Sequence, residues 1–133
     1  MNSEWKAAID ADDAEAVTRL VEAGADINAR DQHGQTGVMI AARDGRTQVV
    51  RRLVELGADL DHRAKFNLSA LMLAVINGRD AIVGLLLDGG ADAAIRGTGA
   101  PGFAGKTALD IAEAADRVIM VALLRDAAAD GRS

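Results

Sequence analysis

The side chains able to do chemistry are few. His33 and His62 are the two histidines, and His33 beside Asp31 could relay a proton. Both fall in polar turn segments, where a solvated histidine is the simpler reading. Asp10, Asp12 and Asp13 could hold a hard cation, but their spacing lacks the glycine and the bidentate ligand of a calcium loop. An exposed acidic helix junction accounts for them. Gly97-Thr98-Gly99 is glycine-rich, and Gly105-Lys106-Thr107 is similar to the end of a phosphate loop, yet no strand pattern precedes the first glycines. The chain has no cysteine, which excludes disulfides and thiolate metal sites. No nucleophile–base pair, metal set or cofactor fingerprint emerges, so the expectation is a protein that is not an enzyme.

The elements that would position these residues follow a fixed step. Gly24-Ala25-Asp26 with Arg30 returns as Gly57-Ala58-Asp59 with Arg63, then as Gly90-Ala91-Asp92 with Arg96, each 33 residues on. Ala8, Ala41 and Ala74 keep the step, as do Val17, Val50 and Val83, and Leu20, Leu53 and Leu86. A further copy matches after a shift of 38, pairing Leu71 with Leu109, Ala74 with Ala112 and Leu86 with Leu124. The five extra residues fall at 97–101, where Gly and Pro predict a loop insertion. A period of this length marks a stacked repeat protein.

The reading is therefore one domain over 1–133, with units at about 2–30, 31–63, 64–96 and 97–133. Each unit predicts two helices. In the second, Thr36 is the N-cap, Gly45 the stop, and a second helix runs from about Arg46 to Leu56. In the third, Ser69 caps, Gly78 stops, and the next helix covers Ala81 to Asp88. Gly34, Asn67 and Gly105 share one turn position that calls for a left-handed residue. Trp5 is expected to cover the open end of the core, and Arg125, Asp126, Asp130 and Arg132 to punctuate the last helix.

Composition narrows the class. Half the residues are apolar, but Trp5, Phe66 and Phe103 are the only aromatic ones, so Ala, Val, Leu and Ile must build the core. The formal net charge of −5 argues against a nucleic-acid-binding role. The N-terminus has no apolar signal core and no run approaches membrane-spanning length, which predicts a soluble cytoplasmic protein with no membrane contact. Arginine outnumbers lysine twelve to three, a bias that suggests a bacterial source.

Taken together, these residues resemble the ankyrin repeat, a turn followed by two antiparallel helices. The resemblance implies an all-α ankyrin-repeat solenoid whose units are joined by short turns or β-hairpin-like loops. The family's Thr-Pro-Leu-His element corresponds to Thr36-Gly37-Val38-Met39, Ser69-Ala70-Leu71-Met72 and Thr107-Ala108-Leu109-Asp110. The capping residues are kept, and the proline and histidine are lost in every copy. Gly37 inside a helix would cost up to about 1 kcal/mol relative to Ala.

The resemblance also implies a concave groove formed by the turn tips and the exposed side of the first helices. Register places Arg30, Gln32, His33, Gln35, Arg43 and Asp44 there in the second unit. It places Arg63, Lys65, Phe66, Leu68, Ile76 and Asn77 in the third, and Arg96, Phe103 and Lys106 beyond. The arginine ladder Arg30, Arg63, Arg96 suits carboxylates, so the expected partner is another protein or peptide with an acidic segment. Against this, each arginine could pair with a nearby aspartate. Phe66, Leu68, Ile76 and Phe103 would form an exposed apolar patch, unless Phe103 and the insertion fold back over Phe66. A monomeric, non-catalytic protein-binding module is the leading expectation. The alternatives are an accessory protein or enzyme with a pocket beside the insertion, and a self-associating structural unit.

Overall fold

The computed structural model describes residues 1–99 and 102–129. Ala100 and Pro101 of the expected insertion, and Asp130 and Arg132 of the expected last-helix punctuation, lie outside them. The described residues form α1 (Ser3–Asp10), α2 (Ala14–Glu22), α3 (Gly37–Asp44), α4 (Thr47–Glu55), α5 (Ala70–Ile76), α6 (Asp80–Asp88), α7 (Ala108–Ala114) and α8 (Val118–Ala129). A single 3-10 turn covers Lys65–Asn67. The turn segments are pinned by isolated bridges, Arg30 with Thr36 and Gly97 with Ala104, and the described residues hold no longer strand.

Helices α1 to α7 are seven to nine residues long. Isolated helices of fewer than about 12–15 residues are marginal in water, so packing must supply their stability. Helices α1, α3, α5 and α7 stack in one layer, and α2, α4, α6 and α8 in a second. Ala8, Ala41, Ala74 and Ala112 are at most 5 % exposed, and their small side chains let the first-layer helices approach closely. In the second layer Leu53, Leu86 and Leu124 are buried on one seam with Val17, Val50 and Val83. Leu20 is only half-buried, because it faces the open end, where Ala7, Ala11, Ala16 and Leu20 line a shallow groove.

Trp5 does not cover that end. It is 2 % exposed and lies against α3, where a Cβ added to Gly37 would stand 3.2 Å from its Nε1 and 3.0 Å from Ile9 Cδ1. The missing side chain of Gly37 makes room for the indole, so burial of Trp5 offsets the poor helix propensity of glycine.

The N-caps differ. Thr36, Ser69 and Thr107 share the same extended backbone. Ser69 accepts from the Met72 N–H, and Thr107 forms a capping box with Asp110. Thr36 occupies the cap position but makes no side-chain bond to α3, and its hydroxyl is buried without a partner.

Two ladders of polar bonds tie each unit to the next. In the turns, Asn28 Oδ1 accepts the Asp59 N–H at 2.9 Å, and Asp61 Oδ1 accepts the Asp92 N–H at 2.7 Å. Asp26, Asp59 and Asp92 each accept the N–H two residues on, which shapes the turns. Between helices, Arg79 Nε donates to the Arg43 carbonyl at 3.3 Å, and Arg117 Nη2 to the Ile76 carbonyl at 3.4 Å. These carbonyls end α3 and α5, where the helix dipole favours a cation. Gly45 and Gly78, both at positive φ, lie directly under the guanidinium groups, and a Cβ on either would come within 3.0 Å of one. In the first unit Asp12 takes the left-handed position and its carboxylate accepts the Val49 N–H of α4.

Arg79→Ala should lower stability by about 1–2 kcal/mol, and Arg79→Lys should recover little of it, because the planar guanidinium fits over glycine and an ammonium does not. Urea unfolding followed by circular dichroism measures this. A midpoint unchanged in Arg79→Ala would contradict the inter-unit role.

Candidate functional site

The turn tips of the second and third units meet along one face. Ala64, Leu68 and Leu73 floor a cavity of about 270 Å³ there, Phe66 walls it, and His33, Gln35 and Lys65 rim it. A second cavity of about 510 Å³ continues past His33 to Gln32, Asp31 and Arg43, and is closed on the far side by Lys6 and residues 1–3. Seven of the residues expected on the face are thus brought together: Gln32, His33, Gln35, Arg43, Lys65, Phe66 and Leu68. Arg30, Asp44, Arg63, Ile76, Asn77, Arg96, Phe103 and Lys106 lie outside these two linings.

The turn residues are set by local hydrogen bonding. Gly34, Asn67 and Gly105 all have positive φ, as their shared register predicts. Asp31 uses one carboxylate oxygen to accept both the His33 and Gln35 N–H groups, so it shapes the turn rather than orienting the His33 ring. His62 Nε2 lies 3.2 Å from the Gly34 carbonyl, so this histidine ties two turns together instead of standing solvated. Asp10 pairs with Lys6, Asp12 accepts from Val49, and Asp13 caps α2. The acidic cluster is therefore spent on three separate structural bonds. No group of residues able to hold a metal ion occurs among the described residues.

The third tip departs from the second. Phe66 has φ 63° and ψ 20°, followed by Asn67 at φ 59°. A left-handed conformation costs a bulky residue roughly 1–2 kcal/mol, so something must hold it. The insertion does. The Thr98 N–H donates to the Phe66 carbonyl at 2.7 Å, and Asn67 Nδ2 donates to the Arg96 carbonyl at 2.9 Å. Gly99 lies beside the Phe66 ring. The loop is closed by Gly97 and Lys106, and Gly97 is so near the Phe103 carbonyl that a Cβ there would come within 2.5 Å of it. Residues 97–99 thus lie against the third tip without covering it. Phe66 remains 37 % exposed, while Leu68, Ile76 and Phe103 are half-buried.

The arginine ladder splits. Arg96 Nη1 donates to the Gly105 carbonyl at 2.6 Å and lies 3.9 Å from Asp110. Arg30 and Arg63 are exposed, and their side chains make no hydrogen bond or ion pair among the described residues. Arg43 is held in a two-point bond to Asp44 and also donates to Gln35 Oε1. The cationic ladder missed in the sequence is Arg46, Arg79 and Arg117, spaced by the same 33 and 38 residues. The signal was present, but Arg79 and Arg117 mark inter-unit bonding and not the exposed face, while Arg46 Nε is buried with no hydrogen-bond partner among the described residues.

A family model for ankyrin repeats, in three copies, matches residues 5–97, more than half of the chain. The chain belongs to the ankyrin-repeat family, whose members generally act in protein–protein interaction and are typically non-catalytic. No curated protein matches the sequence. Among the described residues no helix is long and apolar enough to cross a membrane.

Two carboxyls are held below the ordinary value of 3.8, Asp44 by the hydrogen bond from Arg43 and Asp110 by the Thr107 backbone N–H. A depressed folded-state pKa contributes stability that is complete above the unfolded value and lost as pH falls through the folded one. The acid side of the stability curve should therefore fall from about pH 5 downward, and Asp110→Asn should make it shallower. Thermal unfolding across that range checks this, and an acid limb identical in the variant would contradict it.

Proposed function

We propose that the turn-tip face is a non-catalytic docking surface for a segment of a partner protein, used by a monomer in the cytoplasm. The observation that carries this reading is the continuous row from Gln32 to Leu68. Two cavities open on it, and the side chains of Gln32, His33 and Lys65 along it make no hydrogen bond or ion pair among the described residues. The expected contributors are Arg30, Gln32, His33, Gln35, Arg43 and Asp44 in the second unit. Arg63, Lys65, Phe66, Leu68, Ile76 and Asn77 follow in the third, with Arg96, Phe103 and Lys106 beyond. A stiff stack loses little conformational freedom on binding, so a few anchors suffice for affinity. An acidic partner segment fits the unpaired Arg30 and Arg63. The net charge of −5 supports a protein partner over nucleic acid.

The reading favours a partner over a substrate because Asp12, Asp31 and His62 are engaged in turn and helix bonds, and no carboxylate is bonded to the His33 ring among the described residues. Arg30→Glu with Arg63→Glu should reduce partner capture from cell extract by about tenfold or more. Arg51→Glu, exposed on α4, should leave capture unchanged. Equal capture by the double variant and the unaltered chain would contradict the proposal.

A further inference from the structure

We infer that the cavity between the second and third turn tips takes one leucine-sized apolar side chain from an extended, acidic segment of the partner. This rests on the docking reading and specifies its anchor. Size is the first argument. At about 270 Å³, with the larger cavity beyond His33, this cavity is a shallow seat rather than an enclosed chamber. It has room for one leucine-sized side chain together with the main chain that carries it.

Lining is the second argument. Ala64, Leu68, Leu73 and Phe66 present apolar surface, and Leu73 at the floor is already 8 % exposed. No carboxylate lines the cavity, although acidic residues outnumber basic ones in the chain by twenty to fifteen. The charge at its rim is Lys65, whose Nζ sits 5.0 Å from the Phe66 ring centre and forms no ion pair among the described residues. Arg63 stands two residues away, also unpaired. An apolar seat with Lys65 and no carboxylate in its lining complements an apolar side chain flanked by carboxylates. Gln35 supplies the remaining contact. Its Oε1 is taken by Arg43, which leaves its amide N–H groups to donate to a main-chain carbonyl of an extended segment.

The third argument is the conformation of the wall. An aromatic residue stands where glycine would fold more easily, and the fourth unit's loop holds it there through Thr98 and Gly99. The strained backbone presents a ring that is 37 % exposed and contributes little to the core. Replacing Phe66 by glycine should therefore leave folding intact or raise the melting temperature while removing the seat's wall.

The test is a titration of the full ¹⁵N-labelled chain with the synthetic peptide acetyl-Gly-Asp-Glu-Leu-Glu-Asp-Gly-amide, followed by amide chemical shifts. Saturable shifts are expected at Gln35, Lys65, Phe66 and Leu68, weakening as salt rises. Leucine replaced by alanine in the peptide should bind about tenfold more weakly or worse, as should the original peptide with Phe66→Gly or Lys65→Glu. The anchor is overturned if leucine and alanine peptides bind alike, or if a peptide with lysines in place of the acids binds better. It is equally overturned if no shift saturates, or if oligothymidylate moves the same amides more strongly. Peptide shifts elsewhere on the turn-tip face, indifferent to Phe66→Gly, remove the anchor but leave the docking reading standing. Shifts confined to the outer faces of α4 and α6 remove both.

Discussion

No helix from α1 to α7 is long enough to stand alone, so each must be stabilised by its neighbour. The constraint appears at every level of the structure. Alanines at one register let first-layer helices touch, and leucines and valines at another seal the second layer. Polar groups obey the same logic. Carbonyls at the ends of α3 and α5 receive guanidinium N–H groups from the unit that follows. Turn amides at Asp59 and Asp92 receive side-chain oxygens from the unit before. Stability in such a stack is close to a sum of nearest-neighbour terms.

The exposed face is built by the same borrowing. The turn ladder has a third register position at Ala94, where the side chain carries no acceptor and the ladder ends. The fourth unit joins the turn row differently, through Thr98 to Phe66 and Asn67 to Arg96. That change of linkage coincides with the insertion and with the left-handed phenylalanine. The break in repeat regularity is therefore also the place where the array acquires a feature its other units lack.

Much of this was legible in the sequence because it is periodic. Thirty-three residues separate Gly24, Gly57 and Gly90, and that step alone specifies the stacked units and the buried alanine seam. The positive φ of Gly34, Asn67 and Gly105 followed from residue type at one register. What was hidden depends on two units at once. Trp5 looked like an end cover because nothing in its own unit shows that Gly37 opens a slot for it. Arg79 and Arg117 were not singled out, although their spacing matched, because their acceptors are carbonyls of the preceding unit. His62 likewise finds its partner 28 residues earlier. On the face, seven of the fifteen residues named by register line the two cavities, and register gave no account of Phe66, which is neither bare nor covered. The loop that decides this comes from another unit.

The central claim is that bonds across unit boundaries hold each turn tip in place, including the tip that carries Phe66. Native-state hydrogen exchange of single amides tests it most directly. The Asp59, Asp92 and Thr98 N–H groups all donate across a unit boundary. The account predicts that they exchange far more slowly than an exposed turn amide such as that of Gln32, which donates no hydrogen bond among the described residues. Exchange of Thr98 at the rate of an unstructured chain would contradict it.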